Sequence, residues 1–296
     1  MTSGGLDWDR EKWRGSVASK FIRGGEKNAV KYNLQRIINI GEYSLLDVSM
    51  LTVMSNATSV GYYSNSTKIV KAVANTLTGI SAVLMPRFSY LFSEDNKSEI
   101  KKLSRQFLNV TFLISVPCCC GIILVADQIV EVLFGVEFLP AISTIRILSI
   151  LIVLMPLSGG VFCQLLLTAG KEKSYLACVL IGTVVNAVLN YLLIPTLTQN
   201  GAAIASVIAE FTVSISMIVA TRRTIKVNMC CRDVFSILTS AFVMSLTLVL
   251  CHKLFFGQAV WMRLLVEIVI AVLVYFLCVF MLKNSASSKI IRMIKK

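Results

Sequence analysis

Lys68, Lys71, Asn75 and Thr78 recur at i, i+3, i+7 and i+10, the spacing of one helical face. They sit at the start of a run apolar enough for lipid, where two ammonium groups a turn apart repel unless water or an anion screens them. Such a face is a cationic patch suited to a phosphate or another anionic headgroup. The competing reading has Lys68 and Lys71 snorkel from the helix end to the membrane interface. Thr183, Asn186 and Asn190 repeat at i, i+3 and i+7, and Ser206 and Glu210 lie beside a Gly201–Ala205–Ala209 stripe that lets helix backbones approach closely. Asp47, Asn186, Asn190 and Glu210 are candidates for ion coupling or for lining a polar cavity. A structural hydrogen-bonding role is the plainer alternative for Glu210.

Enzymatic chemistry has little to stand on. The chain has one histidine, His252, no nucleophile–base constellation and no Gly-rich phosphate loop. Of nine cysteines, Cys118, Cys119, Cys120, Cys163, Cys178 and Cys278 fall inside apolar runs, and no CxxC pair is present. They read as small apolar residues, so neither a metal nor a cofactor is expected. No catalytic residue is assigned.

The elements that must position these groups follow from composition. Of 296 residues, 56% are hydrophobic and 15% charged, with a mean hydropathy of +0.75; an ordinary soluble domain is about 45–50% apolar and about 25% charged. The chain reads as an all-α polytopic membrane protein with about eight transmembrane helices, at 34–56, 69–90, 107–126, 145–167, 175–195, 201–220, 233–251 and 263–282. The first span holds Arg36, Glu42 and Asp47, and a charge at a helix centre costs roughly 2.5–3.5 kcal/mol on insertion scales.

Loop charges support that first span. The net charge of +13 would suggest nucleic acid in a soluble protein, but here the basic residues lie in short loops, and no reading motif accompanies them. Taken alternately, one set of loops and both termini hold twenty-three Lys and Arg, while the loops 57–66, 127–144, 196–200 and 252–262 hold only Lys253. An odd number of spans would scramble that asymmetry. Both termini are therefore expected on the cytoplasmic side of the cytoplasmic membrane. Arg263 and Glu267, i and i+4, read as a surface pair at the outer interface. Pro156, followed by Ser158-Gly159-Gly160, marks the fourth span as a bent helix.

Two stretches carry a resemblance. Val60-Gly61-Tyr62-Tyr63-Ser64-Asn65-Ser66-Thr67-Lys68-Ile69-Val70-Lys71, continuing to Leu84-Met85-Pro86-Arg87-Phe88-Ser89, resembles the seventh-to-eighth-helix region of bacterial polysaccharide (O-antigen and capsule) flippases. Gly170-Lys171-Glu172-Lys173, Asn186 to Asn190, Ile194-Pro195 and Gly201 through Glu210 resemble the eleventh and twelfth helices of that family. The resemblance covers roughly residues 45–230. It implies the superfamily shared with multidrug and toxic-compound extrusion proteins and the lipid II flippase, with two six-helix lobes around a central cavity. The segment before Leu45 does not resemble the family's seventh helix and is unusually polar for it.

On that template the chain corresponds to the C-terminal lobe plus two further helices. Residues 1–33 form a polar basic cytoplasmic segment, 34–220 a six-helix lobe, 221–282 two additional helices, and 283–296 a basic cytoplasmic tail. The resemblance implies alternating-access translocation of undecaprenyl-pyrophosphate-linked oligosaccharide for surface polysaccharide. The partners it implies are that lipid-linked oligosaccharide, membrane lipids and a separate N-terminal lobe, with no nucleic acid. It extends the cationic substrate-binding role to Arg87, alongside Lys68, Lys71 and Asn75. Two alternatives stand beside it: a cation-coupled drug exporter, which calls for acidic residues in an apolar cavity, and a truncated fragment that does not transport.

Overall fold

In hydrocarbon every backbone N–H and C=O must find its partner within the protein, and helices meet that demand segment by segment. The computed structural model describes residues 45–222, 224, 225, 227, 230–254 and 259–282; among these no strand occurs. The segment 1–33, the part of the first span holding Arg36 and Glu42, and the tail 283–296 lie outside the described residues.

Helix α1 spans Leu45–Met54. It is followed by α2 (Ala57–Ala82), α3 (Met85–Ser93), α4 (Lys97–Leu124) and α5 (Ala126–Phe134), then a 3₁₀ turn at Val136–Phe138. One rod, Ala141–Thr168, is made of α6 (Ala141–Leu148), α7 (Leu151–Met155), a π-helical turn (Pro156–Phe162) and α8 (Cys163–Thr168). The chain continues through α9 (Glu172–Arg222), α10 (Cys231–Leu254) and α11 (Val260–Met281). Six of these helical stretches are long and apolar enough to cross a membrane. The protein is an all-α, polytopic membrane protein.

The helices overrun the spans that hydropathy marks. The stretch 57–66, expected as a loop, is the beginning of α2, whose first turn is capped by the Asn56 side chain accepting the Ser59 N–H at 2.8 Å. Asn96 caps α4 in the same way, accepting from Glu99 N at 3.1 Å, so most of the 91–106 loop is helical as well. The loop 127–144 holds α5. Hydropathy reports where lipid is touched; caps and backbone pairing decide where a helix stops.

Helix α9 has 51 residues and would measure about 77 Å if straight, more than twice the roughly 30 Å hydrocarbon core. It is not straight. Thr198 departs from helical geometry (φ 48°, ψ −125°), and the chain folds back there into two arms. Gly201 makes the reversal feasible: a Cβ at this position would lie 2.4 Å from the Leu193 carbonyl oxygen. Gly201→Ala is therefore expected to destabilise the fold by about 1–3 kcal/mol, the range for overpacking. A lowered thermal unfolding midpoint of the detergent-solubilised protein checks this; an unchanged midpoint contradicts it.

The bend expected at Pro156 is the π turn that begins there. At Gly170 (φ 69°) α8 ends in a Schellman cap, with Lys171 N–H on Leu166 O at 2.8 Å and Gly170 N–H on Leu167 O at 2.9 Å. Pro117, inside α4, deprives the Leu113 carbonyl of its intrahelical donor. The Tyr275 hydroxyl of α11 donates to that carbonyl at 2.8 Å. One apolar core joins α1, α2, α4, the rod and α9 around Leu51, Val70, Leu148, Ile152, Ile194 and Ala202. A second joins α10 and α11 to α4 through Leu113, Ile237, Met244, Leu248, Ala271 and Tyr275.

Candidate functional site

The first core encloses a polar cluster centred on Asp47, which is fully buried. A carboxylate has lone pairs for about four donors, and four converge here. Oδ2 accepts from Tyr63 OH and from Ser206 Oγ, each at 2.5 Å. Oδ1 accepts from Asn186 Nδ2 at 2.9 Å and Asn190 Nδ2 at 2.6 Å. Asn190 Nδ2 also donates to Asn186 Oδ1 at 3.1 Å, and the Tyr63 and Ser206 hydroxyls lie 3.1 Å apart. Asn190 Oδ1 is left with no hydrogen-bond partner.

Each donor is placed by helical spacing. Asn186 and Asn190 are one turn apart on the first arm of α9, and Ser206 lies on the second. In a straight helix Asn190 and Ser206 would be about 24 Å apart; only the reversal at Thr198 brings both to one carboxylate. Tyr63 comes from α2, and Lys71, eight residues on, falls on the same face.

Lys71 extends the cluster. Its ammonium interacts electrostatically with Asp47 and with Glu210. Glu210, one turn beyond Ser206, accepts a hydrogen bond through Oε1 from the Ser158 hydroxyl of the π turn. A polar lane thus runs from the asparagine pair through Asp47 to Lys71, Glu210 and Ser158, inside helices otherwise walled by apolar side chains. It sets two carboxylates against one ammonium.

The expected cationic face of α2 is divided. Lys71 turns inward, whereas Lys68 is exposed and reaches Asn65 Oδ1 of its own helix at 3.5 Å. Asn75 is half-buried one turn beyond Lys71, and Arg87 is exposed on α3. Asp47, Asn186, Asn190 and Glu210 belong to the lane. Sequence reasoning passed over Tyr63 and Ser158 as site residues. The signals were the i, i+8 relation of Tyr63 to Lys71 and the position of Ser158 behind Pro156.

A second polar cluster corrects an expectation. Arg263 and Glu267 are not a surface pair: they are 9% and 1% exposed, held between α11, α5 and α10. Helix α5, whose apolar and polar residues alternate too briefly to be read as a span, supplies the covering side chains.

The family model of the lipid II flippase MurJ matches residues 37–275. The chain belongs to that family. A probable low-salt glycan biosynthesis flippase, Agl15, from Haloferax volcanii is 25% identical over 183 residues, which is 62% of this chain and 38% of the relative. A solved structure of the lipid II flippase MurJ in an inward closed conformation shares the fold, with a TM-score of 0.69 at 14% identity over 89% of this chain. The chain spans 53% of that structure and about two fifths of the curated relative. The expectation of a flippase for lipid-linked substrates is met at family level, and the matching family is that of the lipid II flippase rather than that of the polysaccharide flippases.

Proposed function

We propose that this MurJ-family chain is one lobe of a flippase that moves a polyprenyl-pyrophosphate-linked oligosaccharide across the cytoplasmic membrane by alternating access. The observation that carries the reading is Lys71, an ammonium turned into the interior of a lipid-length helix bundle. Intramembrane charges are costly and accordingly face protein or a substrate path. An ammonium balanced by carboxylates suits a pyrophosphate that enters, is held and leaves. Lys68, Asn75 and Arg87 then line the outer parts of the path, and a second lobe supplies the facing wall. The domain boundaries proposed are a lobe at 34–220, two added helices at 221–282 and basic termini, both cytoplasmic by the positive-inside rule.

Charge counting supports ion coupling in the same lane. With Asp47 and Glu210 ionised, one negative charge remains uncompensated by Lys71, and a proton or small cation completes the balance. Agl15, named as a glycan biosynthesis flippase, supports an oligosaccharide as cargo.

Cells lacking this chain and any complete paralogue are expected to hold the lipid-linked repeat in the cytoplasmic leaflet, beyond reach of a membrane-impermeant lectin. Restoring the chain restores labelling from outside. Normal outer-leaflet labelling in the deleted strain overturns the proposal.

A further inference from the structure

The lone histidine and the lone lysine of the cation-poor loops, which the flippase reading leaves unused, meet at one place. His252 and Lys253 close the last turn of α10. Asp127 and Gln128 open α5, Glu267 lies in the second turn of α11, and Arg146 projects from α6. Between them is a cavity of about 180 Å³ lined by Asp127, Arg146, His252, Lys253 and Glu267 among others. It lies at the last turn of α10, a helix long and apolar enough to cross a membrane, and the ends of such helices meet lipid headgroups.

The hydrogen-bond inventory leaves specific vacancies there. The Gln128 amide donates both hydrogens, to Glu267 Oε2 at 2.7 Å and to His252 Nδ1 at 3.1 Å. His252 Nε2 lies 3.9 Å from Asp127 Oδ2. Glu267 Oε1 is 3.7 Å from His252 Nδ1 and 3.8 Å from Arg263 Nε, too far for a hydrogen bond to either. Glu267 Oε1 and Asp127 Oδ1 are both buried atoms without a hydrogen-bond donor, and the Arg263 Nε that faces Glu267 is likewise without an acceptor. Asp127 and Glu267 thus line a cavity whose exposed margin carries the Arg146 and Lys253 cations, with Arg146 Nε anchored on Ile123 O at 3.2 Å.

The geometry points to a binding site for the headgroup of an aminophospholipid. A primary ammonium has three hydrogens to donate, and Asp127 and Glu267 are the acceptors it fits. The phosphate one ethyl unit away reaches the Arg146 guanidinium and the Lys253 ammonium. A purely anionic headgroup would be repelled by both carboxylates. A quaternary ammonium cannot donate a hydrogen bond to them. The bound lipid bridges α5, α6, α10 and α11 and so couples the last two helices to the rest of the bundle, whatever cargo the lobe carries.

Native mass spectrometry of the detergent-solubilised, delipidated chain tests this with phosphatidylethanolamine, phosphatidylcholine and phosphatidylglycerol of identical acyl chains. Phosphatidylethanolamine is expected to be retained at least about tenfold better than the other two, the scale of one or two charge-assisted hydrogen bonds. Asp127→Asn, at a side chain that is 35% exposed, and Glu267→Gln are each expected to remove that preference, while Lys97→Gln, outside the cavity lining, leaves it intact. Soluble O-phosphoethanolamine should displace the lipid, marking the headgroup as the part recognised. Equal retention of the three lipids, preference for phosphatidylglycerol, displacement by glycerol phosphate, or an unchanged preference in Asp127→Asn each overturns the assignment.

Discussion

Asp47→Asn is expected to lower the stability of the solubilised protein by roughly 3–5 kcal/mol, the scale for breaking a buried charged network from one side. Tyr63, Ser206, Asn186 and Asn190 all donate to this carboxylate. A carboxamide offers one oxygen in place of two and turns an NH₂ against the remaining donors. Lys71 loses one of its two counter-charges as well. Tyr63→Phe removes a single donor and should cost only about 1–3 kcal/mol, the range for leaving a buried acceptor short of one partner. Unfolding midpoints of the two variants separate these scales. Equal, small shifts in both would mean that Asp47 does not organise the lane.

Lys71→Met is expected to reduce translocation by about 10–100-fold, the loss of one charge-assisted contact of roughly 1.5–3 kcal/mol. Lys68→Gln, on the same helix but exposed at the outer part of the path, should reduce it by less than Lys71→Met does. The reduction must be distinguished from simple damage, since Lys71→Met leaves Asp47 and Glu210 facing each other without a cation. The double change Lys71→Met with Glu210→Gln removes one charge of each sign and should recover much of the lost stability. It should not recover outer-leaflet labelling of the lipid-linked glycan. Recovery of both would make Lys71 a purely structural counter-ion; failure of Lys71→Met to slow transport would remove it from the substrate path.

Spacing within one helix was legible in the sequence, and relations between helices were not. Asn186 and Asn190, or Ser206 and Glu210, share a face by their separation alone. Nothing in that separation says that both pairs address Asp47, from which they are separated by well over a hundred residues. Lys68 and Lys71 show the same limit at closer range. Three residues differ by about 60° around the helix axis, and which of the two turns inward depends on where α1 and α9 pack against α2. Arg263 and Glu267 were misread because α5, the element that covers them, is too short to register as a span.

By itself, the sequence determined that the protein is a helical membrane protein, where its apolar spans lie, how its loop charges alternate, which polar residues share a helical face, and that its motifs resemble those of flippases for lipid-linked substrates. These follow from local physics: apolar length matched to hydrocarbon thickness, helical period, and the polarity of loops. Tertiary structure alone decided that α9 turns back on itself at Thr198 and Gly201, that Asp47 gathers four donors from three segments, and that Lys71 rather than Lys68 enters the lane. It also decided that His252 and Glu267 share a pocket. Each of those depends on side chains from distant segments meeting, and buried polar groups select such meetings because a group left without a partner is costly.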